Sequence, residues 1–125
     1  MKTKINNFLF ICFLFSSGAS FANDIKIENL PQNKIYDNWL ISRCIGEFTD
    51  SESTRQDAFR SASAYLEFSQ LPIEAFDSSE VLIHQYLQKK SSGSVPGSYN
   101  TLACLSLPTS EQAKNIFKKY AVIRE

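Results

Sequence analysis

The stretch Ile35-Tyr36-Asp37-Asn38-Trp39-Leu40-Ile41-Ser42-Arg43-Cys44-Ile45-Gly46-Glu47-Phe48 decides the fold. Trp39, Leu40, Ile41, Cys44, Ile45 and Phe48 recur at steps of three and four residues, the spacing of one apolar face of an α-helix. Polar residues begin at Thr49, so the helix is expected to end there. On the N-terminal side, residues 23–34 read as a loosely ordered lead-in with Pro31 near its end.

Further toward the C-terminus the same period returns. Ser53-Thr54-Arg55-Gln56 carries capping-box chemistry, a hydroxyl and a glutamine able to satisfy open amides at a helix start. Ala58, Ala62, Tyr65 and Leu66 mark a second helix, and its alanines together with Ser61 and Ser63 permit close approach of a neighbour. Pro72 suits a first helical turn, and Glu74 and Asp77 are expected in that turn, where the helix dipole favours negative charge. Ala75, Phe76, Val81, Leu82, Ile83, Tyr86 and Leu87 give this third helix its apolar face, with an irregularity at 77–79 that would allow it to split. Residues 91–98, Ser-Ser-Gly-Ser-Val-Pro-Gly-Ser, break the pattern as a loop. Residues 99–107 read as a short helix bearing Leu102, Cys104 and Leu105. Thr109 and Gln112 offer a second capping box, and Ala113, Ile116, Phe117, Tyr120 and Ile123 face inward from the last helix. With no repeat and no strand pair in the pattern, the expected fold is all-α: a compact bundle of about five helices with one disulfide.

The first 22 residues read differently. Lys2 and Lys4 precede the apolar run Phe8-Leu9-Phe10-Ile11-Cys12-Phe13-Leu14-Phe15, and Ser20 and Ala22 sit three and one residues before a cut after Ala22. This is the layout of a secretory signal peptide, and the run is far shorter than the roughly 20 residues that span a bilayer. Residues 23–125 are then expected to form a single domain in the periplasm, with no membrane attachment in the mature form. Two of the 13 basic residues fall in the leader while all 13 acidic residues follow it, which gives the mature domain a net charge of −2. A weakly acidic domain without a Lys/Arg cluster argues against nucleic acid as a partner. Cys44 and Cys104 remain, and an even count in an exported chain points to a disulfide. Two buried thiols or one reactive cysteine are the alternatives.

Catalytic chemistry finds little support. The single histidine, His84, falls mid-helix with nothing local to orient it, and a bridged Cys44 would have no thiolate to attack with. Glu67, Glu74 and Asp77 read as solvated surface acids. One histidine is too few for an evident metal cluster, so neither metal nor cofactor is expected. An enzyme or ligand-binding helical domain using His84 and nearby acids is the alternative reading. The loop differs from an ordinary connector. It is long for a small bundle, and Val95-Pro96 forms an apolar, φ-restricted tip between glycines that would enter a groove with little ordering cost.

Asn38-Trp39-Leu40-Ile41-Ser42-Arg43-Cys44-Ile45, Ser61-Ala62-Ser63-Ala64-Tyr65-Leu66-Glu67-Phe68, Gly93-Ser94-Val95-Pro96-Gly97 and Leu102-Ala103-Cys104-Leu105 follow one another in that order. Together they resemble the immunity proteins of the fourth class of type VI secretion amidase effectors, over roughly residues 38–120. The resemblance implies a periplasmic, all-helical homodimer that is no enzyme and that neutralises a cognate peptidoglycan amidase of the papain-like Cys–His kind. It implies a disulfide between Cys44 and Cys104 and a protruding loop that enters the amidase's groove, assisted by a helix face of the partner subunit. Carried onto this sequence, the effector-binding residues are Gly93, Ser94, Val95, Pro96, Gly97 and Tyr99, with Glu74 and Asp77 supplying the helix contribution. The polar stretch 46–56 departs from the family pattern.

Overall fold

Helix α1, Gln32–Phe48, runs through the centre of the molecule in a computed structural model that describes residues 26–89 and 92–122. The signal-peptide reading of residues 1–22 and the inward-facing assignment of Ile123 lie outside the described residues. A 3₁₀ turn at Ile27–Asn29 and an extended Pro31 lead into α1. Helices α2, Glu52–Glu67, and α3, Ile73–Gln88, pack against it. A short α4, Asn100–Ser106, continues through a 3₁₀ turn at Leu107–Thr109 into α5, Glu111–Ala121, which packs on α3. The described residues hold five α-helices and no strand, as the spacing of apolar residues requires.

The face predicted for α1 is the one it buries. Trp39, Leu40 and Cys44 are core residues, joined by Ile35 and Tyr36 one turn earlier. Tyr36, Trp39, Phe76 and Phe117 form an aromatic cluster that joins α1, α3 and α5, with the Trp39 and Phe76 rings edge-on at 4.8 Å between centroids. Cys44 and Cys104 are fully buried and bonded to each other, which ties α1 to α4. The α1–α2 contact depends on small residues. Ala58 and Ala62 are buried on α2, and Gly46 on α1 leaves room for the Phe59 ring, which a methyl group there would overlap. Gln32 clamps the α2–α3 turn to the start of α1. Its side chain donates to the Phe68 carbonyl (3.1 Å) and accepts from the Gln70 amide (2.6 Å).

Several local expectations shift. The cap of α2 is Ser51, two residues before the expected box, and its hydroxyl accepts from the Thr54 amide. The cap of α5 is Ser110 rather than Thr109, accepting from the Ala113 amide. In a run of hydroxyl residues, the backbone exit angle of the preceding helix selects which one caps, and sequence alone does not carry that angle. The polarity of residues 46–56 is turn chemistry. Thr49 accepts from the Ser51 amide, and Arg55 donates to the Thr49 carbonyl at the open end of α1 (2.7 Å). Pro72 is the cap of α3 and Glu74 lies in its first turn, but Asp77 starts the second. Helix α3 does not split at 77–79, because Ser78 and Ser79 turn their hydroxyls back to the Glu74 and Ala75 carbonyls and leave the backbone ladder intact.

Ser79 is the one buried polar core residue among those described, and it is satisfied twice. Its hydrogen goes to the Ala75 carbonyl (2.7 Å), so the Tyr36 hydroxyl donates to the Ser79 oxygen (2.7 Å). Burial pushes the Tyr36 phenol up to about 12, and the neighbouring Asp37 charge acts in the same direction. A group whose folded value lies above its unfolded one contributes stability that is complete below the unfolded value and is lost as pH rises through the folded one. Urea unfolding midpoints are therefore expected to decline between about pH 10 and pH 12. Tyr36→Phe should flatten much of that slope, at a cost of about 1 kcal/mol at neutral pH for the lost hydrogen bond. An unchanged alkaline slope in Tyr36→Phe would assign the effect elsewhere.

Candidate functional site

Residues 92–99 project from the bundle between the end of α3 and the start of α4, and every side chain from Ser92 to Ser98 is exposed. Val95 is 68 % exposed, an apolar side chain with no role in the core. Gly97 sits at φ 149°, a backbone conformation that suits glycine, and has open space where a side chain would stand. Gly93 is confined instead. A Cβ there would meet the Tyr99 ring at 2.6–2.8 Å, so the ring packs against the glycine backbone. The Tyr99 hydroxyl donates to the Val95 carbonyl at 2.5 Å. The loop is thus closed on itself by a half-buried tyrosine, and Val95 and Pro96 are left outward. Tyr99, expected among the effector-binding residues, is half-buried and braces the tip from within.

The stems of the loop are fixed by the core. Leu82 and Ile83 bury the C-terminal half of α3 on one side. On the other, Ala103 and Cys104 are buried within four residues of the start of α4. A seven-residue helix is too short to persist alone, so the disulfide and the buried Leu107 hold α4 in place. Between the stems, Leu87, Lys89, Ser92, Gly97 and Tyr99 line a shallow cleft of about 440 Å³.

Glu74 and Asp77 stand elsewhere. Both are exposed on the N-terminal half of α3. At 1.5 Å rise per residue, Glu74 lies about 20 Å along the helix from Gln88, where the loop begins. One chain therefore does not gather the predicted helix and loop residues into a single patch. Asp77 lines a cleft of about 280 Å³ between α2 and α3, with Trp39, Phe59, Phe76 and Glu80 among its walls. Within it Arg43 donates to Glu80 (2.5 Å) and to Glu47 (3.1 Å) and lies over the Phe59 ring at 4.4 Å. Arg43 is a site residue that the apolar spacing does not announce. The Arg43–Glu47 spacing of four residues was available as a signal for that pair, whereas the Glu80 contact is tertiary.

Among the described residues, His84 and Cys44 do not form a nucleophile–base pair. His84 is exposed, and Cys44 is bonded to Cys104. The acids gathered beside His84 are Glu47 and Glu80. A cavity of about 570 Å³ between α1 and α5 has Tyr36, Asp37, Pro108, Ala113 and Phe117 in its walls and contains none of the predicted site residues. Burial raises the Asp37 carboxyl above its ordinary value against the opposing pull of Lys34.

Comparison with known proteins finds a matching family and solved structures of similar fold. The family described as Tai4, type VI secretion system amidase immunity protein, matches residues 34–117. A chain in the crystal structure of the effector Tae4 from Salmonella typhimurium in complex with the immunity protein Tai4 from Enterobacter cloacae is 38 % identical, with a TM-score of 0.69. The match covers 72 % of this chain and 93 % of that one. The Tae4–Tai4 complex from Enterobacter cloacae gives the same identity and TM-score, over 72 % of this chain and 92 % of that one. A chain from a structure of type VI-secreted toxins and self-resistance proteins in Serratia marcescens is 26 % identical, with a TM-score of 0.67, over 75 % of this chain and 77 % of that one. No curated protein matches the chain.

Proposed function

Because this chain belongs to the family of type VI secretion system amidase immunity proteins, we propose that it binds a secreted peptidoglycan amidase and blocks it by seating residues 93–97 in the amidase's cleft. The observation that carries this reading is the braced, outward tip at Val95-Pro96 on stems fixed by the disulfide. An enzyme that cuts peptide stems needs an open groove for an extended chain. A preformed tip fills such a groove without a large ordering cost and covers the nucleophile without any chemistry of its own. The chain acts by occupancy and not by turnover.

The chain is exported, cut after Ala22 and active in the periplasm, where an oxidising environment preserves the disulfide. It acts as a homodimer. Glu74 and Asp77, about 20 Å along α3 from the loop, meet the amidase bound by the partner subunit's loop and face basic residues around the groove. Each amidase then buries about 800 Å² on the inhibitor, a usual size for a stable complex.

The test is hydrolysis of a muropeptide by the cognate amidase with increasing amounts of the purified chain. Activity should fall to background near one chain per amidase, and an unaffected rate would refute the proposal. Tyr99→Phe keeps the ring but removes the hydroxyl that holds the Val95 carbonyl. It should weaken inhibition by several-fold, in line with about 1 kcal/mol for one such hydrogen bond. It should also speed amide hydrogen exchange in residues 92–99 while leaving the helices unchanged.

A further inference from the structure

Where α1 crosses α3, the structure gathers Glu47, Glu80 and His84. One carboxylate oxygen from each glutamate and one ring nitrogen of the histidine all lie within 4.8 Å of one another. Glu80 and His84 are four residues apart on α3 and so share one face. Glu47 arrives from α1, 33 positions earlier than Glu80 in the chain. We propose that these three side chains form a binding site for a divalent transition-metal cation of the zinc class.

The donor set selects the ion. One imidazole and two carboxylates form a borderline set that suits zinc, whereas magnesium and calcium favour oxygen alone. Tetrahedral bonds of about 2.1 Å put ligand atoms about 3.5 Å apart. Small side-chain rotations at His84 and the glutamates close the difference.

Arg43 supports the site. It donates to Oε1 of Glu80 and to Oε1 of Glu47, and the second oxygen of each carboxylate remains for the ion. Ligating carboxylates are commonly held in this way by an outer hydrogen bond. The guanidinium offsets only one of the two negative charges, so the cluster keeps a net attraction for a cation. The glutamates are 24 % and 29 % exposed, anchored more firmly than free surface acids, and exposed His84 gives the ion a way in. Three protein ligands leave a fourth position open to water or to a donor from a bound partner. An ion here joins α1 to α3 at a point the disulfide does not reach. The site was invisible to spacing rules because Glu47 comes close to the other two only through tertiary packing.

This inference is independent of the loop. The test titrates zinc chloride into the purified chain, with its disulfide intact, without a histidine tag and after removal of chelator, by isothermal calorimetry. The expected result is saturable binding of one ion per chain and a higher thermal midpoint with zinc present. His84→Ala alters an exposed residue and leaves both Arg43 ion pairs in place. It should keep the helical circular dichroism and weaken binding by about tenfold or more, since even outer-sphere partners carry 10- to 100-fold. His84 is the sole histidine, so its ring resonances report the site directly and should shift on saturation. Absence of saturable binding, equal affinity in His84→Ala, or an unmoved imidazole signal would each overturn the proposal.

Discussion

Exchanging residues 93–97 for an inert glycine–serine segment of equal length is expected to leave the bundle folded and to weaken amidase inhibition by about 100-fold or more. Two features of the structure separate fold from function here. Val95 is largely exposed and lies outside the core, so its loss removes no buried contact. The loop stems end at the buried Ile83 and Cys104, which the exchange does not touch. At interfaces a few apolar anchors dominate, each costing about 2–4 kcal/mol when truncated, and 1.4 kcal/mol is a factor of ten. The exchange also removes the fixed φ of Pro96, so the tip loses preorganisation along with its apolar contacts. The muropeptide assay gives the inhibition, and thermal unfolding gives the control. An unchanged inhibition constant with the exchanged loop would place the inhibitory contact elsewhere on the molecule.

The second large effect is on stability. Opening the Cys44–Cys104 bridge releases a closure of 60 residues, which by the chain-entropy estimate removes about 4 kcal/mol of stability. Small domains hold roughly 5–15 kcal/mol in total, so the loss is a large share. Urea unfolding of the same protein with and without reductant measures it without changing any side chain. The reduced form should unfold at a clearly lower urea concentration, and equal midpoints would show that the bridge adds nothing. The bridge also holds α4, a helix of only seven residues that forms the C-terminal stem of the loop. Reduction is therefore expected to weaken inhibition before the chain unfolds globally, because the loop loses one of its two supports.

Helix number and order were legible in the sequence because they depend on local spacing, whereas the core faces were legible only in part: Leu66, Val81, Leu102 and Leu105, read as apolar-face residues, are exposed. The core positions of Trp39, Leu40 and Cys44 on α1 follow from a period of 3.6 alone, and Cys44 and Cys104, the two cysteines outside the expected leader, allow only one pairing with each other. The caps were misplaced by one or two residues, since Ser51 and Ser110 compete with neighbouring hydroxyls of equal chemistry. The continuity of α3 through Ser78 and Ser79 was hidden, because serine in a helix is tolerated when its hydroxyl finds a carbonyl one turn back. Within the candidate site, glycine, valine and proline announced an exposed tip. The inward role of Tyr99 was not readable, because it depends on the chain folding back across Gly93. Arg43 was missed for a related reason: it joins Glu47, Glu80 and Phe59 from three different helices.

The central claim is that the loop tip occupies the amidase cleft, and a cross-linking side chain in place of Val95 tests it most directly. On illumination with the cognate amidase, the account predicts one dominant cross-link, to the segment that flanks the amidase's catalytic cysteine. Cross-links confined to surfaces remote from that cysteine, with inhibition intact, would contradict it.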